Sequence, residues 1–167
     1  MNLSMQAWID AIATGLGATA TMDAWAVLQK RLLGIRSLDY AFVGRWLGHL
    51  VTKRQFHHDA IAKADPVAFE KGIGWAAHYA TGIAFAVGLV AFWGTDWLER
   101  PTLIPPLIVG FGAIAFPFLI LQPALGAGIA SSRTANPNGA RLKSLVTHGV
   151  FGIGLYVSAL LLRALSD

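Results

Sequence analysis

The chain has 167 residues, a formal charge of +4 and no cysteine; 55% of its side chains are hydrophobic, only 13% are charged, and its mean hydropathy is +0.55. So few charges cannot coat a soluble domain of this size, and the composition defines an integral membrane protein. The lack of cysteine excludes disulfides, thiolate metal sites and cysteine catalysis, and a basic balance carried by loop residues gives no ground for a nucleic-acid partner.

Four apolar stretches near the ~20 residues that cross a bilayer core lie at residues 7 to 29, 73 to 93, 102 to 124 and 144 to 163. The first contains Asp10, Asp23 and several threonines, and no Lys or Arg precedes Lys30. A cleaved signal peptide needs a basic segment there, so the stretch is expected to remain as a helix. Asp10, with Thr14 one turn away, reads as a step in a proton or ion path or as an interface residue.

Residues 30 to 72 form a long connection. A helix over residues 38 to 53 gathers Tyr40, Val43, Trp46, Leu47, Leu50 and Val51 on one side and Arg45, His49 and Lys53 on the other, as an interfacial helix requires. Its basic residues, Arg45 among them, are expected to hold anionic lipid head groups. His57, His58 and Asp59 read as a solvated loop, since no second ligand cluster has metal-site spacing.

The third stretch carries Pro105, Pro106, Pro117 and Pro123. Pro117 is expected to kink the helix within the membrane. Gln122 and the segment Ser131 to Pro137 follow at its inner end; there Arg133 makes an anion or lipid contact, or the segment is an ordinary polar turn.

Eight Lys and Arg residues lie between the first two stretches and three between the last two, which leaves Arg100 and Arg163 on the other side. The positive-inside rule then makes both of those loops cytoplasmic and both termini periplasmic. Trp8, Trp93 and Trp97 at the outer interface and Trp25 and Trp75 at the inner one form an aromatic belt consistent with this orientation.

The second half of the chain echoes the first. Gly15-Leu16-Gly17-Ala18-Thr19-Ala20 matches Gly110-Phe111-Gly112-Ala113-Ile114-Ala115, and His78 to Ile83 matches His148 to Ile153. The halves, residues 1 to 94 and 95 to 167 of a single membrane domain, read as two parallel-oriented helix pairs, and such repeats place a site at their seam. Asp23, His78 and His148 come to a similar depth, roughly 8 Å inside the inner boundary at ~1.5 Å per residue. Gly82 and Gly152, four residues after each histidine, leave a notch beside the imidazole.

Three roles fit this group. The first is a carrier or ligand-binding protein in which Asp23, His78, His148 and Gln122 bind the ligand or relay protons. The second is a haem-binding electron-transfer subunit with His78 and His148 as axial ligands of haem b. The third is a structural or assembly partner in which these groups only bond across helices. Four helices make a thin wall for a transport path, so a homodimer is plausible. No Walker loop, dinucleotide fingerprint, metalloprotease motif or nucleophile elbow is present, which argues against a familiar soluble-enzyme chemistry.

The segments Met22-Asp23, Ser37 to His49, Gly74 to Tyr79, Gln122 to Thr134 and Ser144 to His148 resemble an uncharacterised bacterial inner-membrane family, domain of unknown function 2938. The resemblance covers nearly the whole chain and implies a small multi-pass membrane protein. It implies no established activity, cofactor or catalytic residue. The expected fold is all-α: four transmembrane helices in two pairs, with an interfacial helix in the first cytoplasmic loop.

Overall fold

The computed structural model describes residues 4–166. Among these residues the structure is all-helical, and four helical segments are long and apolar enough to cross a membrane: Met5–Leu33, Glu70–Trp93, Ile104–Ala124 and Pro137–Ser166. In chain order the helices are α1 (Met5–Leu33), α2 (Tyr40–Lys53), α3 (Glu70–Trp93), α4 (Asp96–Glu99), α5 (Ile104–Ala113), α6 (Gln122–Ala124) and α7 (Pro137–Ser166). All four expected spans are present, each longer than its apolar stretch or within two residues of it.

Local chemistry explains the ends of α1. The Ser4 hydroxyl accepts the Ala7 N–H at 3.1 Å and satisfies a first-turn donor. Gly34 ends the helix with a left-handed φ of 66°, after Lys30 and Arg31 in the last turn complement the helix dipole. The Pro117 kink takes the form of a single wide π turn over Pro117–Leu121, closed by the Gln122 N–H on the Pro117 carbonyl.

The chain divides into two compact units. The first holds the described parts of residues 1–36, 79–113 and 146–167, and the second holds residues 37–78 and 114–145.

The first unit packs on small residues. Its buried centre is Ala11, Ala18, Ala86, Leu89, Val90, Trp97, Phe151, Leu155 and Ala159. A Cβ on Gly15 would stand 2.7 Å from the Ile83 Cα, and one on Gly110 would stand 2.6 Å from the His148 carbonyl and 2.9 Å from Gly152. The α1–α3 and α5–α7 crossings therefore run backbone against backbone, as small residues permit in membranes. On the outside, Ile9, Ile12, Leu16, Ile108, Phe111, Val157 and Leu161 are exposed. An apolar exterior around helices that cross on small residues suits a lipid solvent and would be costly in water.

The second unit is built around Val43, Trp46, Ile61, Leu121 and Ala124. There α2 docks on the first turns of α3, and a Cβ on Gly44 would overlap the Glu70 carbonyl while one on Gly74 would overlap that of Tyr40. The segment after α2 folds back and is stitched down by the His58 N–H on the Ala124 carbonyl (2.9 Å) and the Ile61 N–H on that of Leu125 (3.2 Å).

Candidate functional site

The second unit concentrates polar side chains. On α2, Arg45 is 8% exposed, and its Nε and Nη2 donate to the two carboxylate oxygens of Glu70 at 2.8 Å each. Its Nη1 reaches the Ile61 and Ala64 carbonyls at 3.2 and 3.0 Å. Glu70 also accepts the Val67 N–H at 3.0 Å. The hydrogen bond to Glu70 holds the Arg45 guanidinium above its ordinary pKa against the opposing effect of burial. Arg45 is thus placed differently from the lipid-facing position expected of it. Its guanidinium turns inward because a partner carboxylate and two carbonyls converge there.

His49 and His58 correct a second expectation. Their side chains were assigned to a polar face and a solvated loop, yet they are 2% and 5% exposed. His49 Nδ1 and His58 Nε2 lie 2.9 Å apart, so one ring must donate and the other accept. His58 Nδ1 is buried with no hydrogen-bond partner among the described residues. Burial pushes the His58 imidazole below its ordinary 6.5, and the neighbouring His49 adds to the effect.

His78, on α3, is engaged by α2. Its Nε2 lies 3.0 Å from the Tyr40 hydroxyl, the two rings stack at 4.2 Å, and Trp75 meets the imidazole edge-on at 5.8 Å. Gln122 accepts the Ser131 hydroxyl at 3.0 Å. This bond spans a loop in which Gly126, Gly128, Ala130 and Ser131 all take positive φ. Ala130 and Ser131 there carry real backbone strain, because a Cβ disfavours that region. Arg133 is exposed, and its backbone N–H closes the loop on the Ala127 carbonyl at 2.9 Å.

Asp23 and His148 belong to the first unit. Asp23 accepts the Tyr79 hydroxyl at 2.9 Å. His148 lies on α7, and its carbonyl is the group against which Gly110 packs. Asp23 and His78 therefore each have a tyrosine partner that sequence reasoning did not name. The signal was present in part, since Tyr40 is the one hydroxyl-bearing residue among those gathered on the apolar side of α2.

Ligation of a haem iron through His78 Nε2 would require the Tyr40 bond to break. Among the described residues, no group of three or more His, Asp or Glu side chains is arranged to hold a metal.

Four helices long and apolar enough to cross a membrane define a multi-span, all-α protein of the membrane class. No curated protein and no solved structure matches the chain. The family model described as "Protein of unknown function (DUF2938)" matches residues 12–162, and the chain belongs to that family.

Proposed function

We propose that this protein is a small membrane carrier or ligand-binding protein whose ionisable groups, Asp23 and His78 foremost, act on the ligand or on protons that accompany it. The observation that supports the reading is the bonding of these two side chains. Each is an ionisable group on a membrane-length helix, where such groups are expensive and rare, and each is held by a tyrosine hydroxyl. Neither bond demands a fixed charge. Tyr40 can donate to a neutral His78 Nε2 or accept from a protonated one, so a single proton reverses the bond without breaking it. Such a reversible bond between α2 and α3 suits a gate that responds to protonation or to ligand.

The excess of Lys and Arg in residues 30 to 72 and 125 to 143 supports a cytoplasmic position for both loops. His148, Gln122 and Arg133 are the further residues we assign to ligand or anion contact.

The test is a thermal-shift screen of the purified protein against small organic and inorganic ions, followed by uptake of the stabilising compounds into proteoliposomes. H78Q and D23N are expected to abolish stabilisation and uptake while the ligand-free melting temperature stays within a few degrees of wild type. Uptake that survives both substitutions would reject the assignment.

A further inference from the structure

The α1 helix shows two different faces within the first unit. Gly15, Thr19 and Asp23 meet α3 through Ile83, Gly82 and Tyr79. Gly17, Ala18 and Thr21 meet α7, where Gly154 packs on Ala18 and Thr21, and a Cβ on Gly17 would overlap the Ser158 hydroxyl. Asp10, Thr14, Thr21 and Trp25 follow one another at spacings of four, seven and four residues, so helical register puts them on this second side.

Two of the four have polar atoms with nothing to bond. Thr14 is fully buried, and neither its Oγ1 nor the buried Trp25 Nε1 has a hydrogen-bond partner among the described residues. The only other such atom among those residues is His58 Nδ1, which is in the second unit. Thr19 and Thr21, by contrast, return their hydroxyls to the Gly15 and Gly17 carbonyls at 2.8 and 2.9 Å. A buried hydroxyl and a buried indole N–H left bare on one helix face call for a partner small enough to enter a packed seam, and water is the partner that donates and accepts equally.

We infer that a file of ordered water runs along the α7-facing side of α1 and carries protons through the first unit. Asp10, bonded by Gln6 at 2.9 Å, stands at one end. Thr14 and the Ser158 hydroxyl are the intermediate stations, each able both to donate and to accept, while the Thr21 hydroxyl, which donates to the Gly17 carbonyl, can only accept from the file. Thr14 and Trp25 lie ~16 Å apart along the axis at ~1.5 Å per residue, a span that several waters bridge. Each step passes one proton between oxygens along a hydrogen bond, with no change in any carbon bond and no electron transferred. Trp25 can only donate, so it anchors the last water and does not relay. The inference deepens the carrier reading by supplying a proton route, but its test needs no ligand.

The experiment combines two measurements on the full chain. Indole ¹⁵N spectra in lipid nanodiscs, with Trp25 assigned through W25F, are expected to show its N–H exchanging with water at least tenfold faster than that of Trp97, which is bonded to the Thr102 carbonyl. Proton uptake into proteoliposomes under an imposed pH gradient is expected to fall at least tenfold in T14V and to recover in T14S. D10N and S158A report on the same route from its two helices should T14V fail to fold. A Trp25 indole as protected as that of Trp97, or proton uptake unchanged by removal of the Thr14 hydroxyl or of its substitutes, overturns the inference.

Discussion

Arg45 shows what a single side chain can hold together. Its fork joins α2 to Glu70 and gathers the Ile61 and Ala64 carbonyls, so R45A strands a carboxylate and two carbonyls in a nearly closed site. A loss of about 3 kcal/mol of stability is expected, read as a lower midpoint in thermal unfolding. R45K keeps the charge without the two-pronged geometry and should recover only part of that loss. His58 sets a pH dependence of opposite character. Folding keeps it neutral, so below 6.5 the unfolded chain binds a proton that the folded chain refuses, and stability falls as pH drops below that value. His49, His57 and Lys53 all work against a charge on His58. Melting temperatures measured from pH 8 to pH 5 should fall at the acid end in wild type and fall less in H58Q. Neither residue was legible in the sequence. A charged side chain in an amphipathic pattern reads as solvated, and the partner that buries Arg45 is 25 residues away, beyond any helical period.

At the scale of elements, the four spans could be read directly because hydropathy over ~20 residues reports a property of the whole segment. The α2 helix was legible for a similar reason, and Asp39 at its start accepts the Ala41 N–H as an N-cap should. The π turn was not, since proline announces a break without saying what replaces the missing bond. Left-handed Phe69, Ala130 and Ser131 were also hidden, because non-glycine residues give no warning of a positive φ. Glycine positions separate into those that touch a partner and those that do not. G15A and G110A force a methyl into backbone and should each cost about 1 to 3 kcal/mol. Gly88 has open space around it, so G88A should be neutral or should stabilise by up to about 1 kcal/mol, as alanine does in a helix interior. Parallel melting curves for the three variants in one detergent check the contrast.

For the molecule as a whole, the absence of cysteine gives a clean background for mapping its orientation. Single cysteines at Gln55 and Asn136, in the two basic connections, are expected to react with an impermeant thiol reagent only from the cytoplasmic side, and one at Thr95 only from the opposite side. Labelling of Gln55 and Asn136 from different sides would refute the proposed orientation. The family relationship extends over residues 12–162, nearly the whole of this chain. What the sequence could not supply at this scale was the partition into two units. Both α3 and α7 contribute residues to each, and a continuous helix gives no composition break where one unit ends and the next begins.

The backbone-to-backbone seat of Gly44 and Gly74 has a consequence for biogenesis. Residues 40 to 53 are synthesised before Glu70 and Gly74, so α2 has neither its counter-ion nor its docking surface until the start of α3 has followed it out of the ribosome. Until then the Arg45 and His49 side chains of α2 must stay hydrated. The seat can close only after α3 has emerged, and the segment that follows α2 waits longer still, because the His58 and Ile61 N–H groups bond to the Ala124 and Leu125 carbonyls.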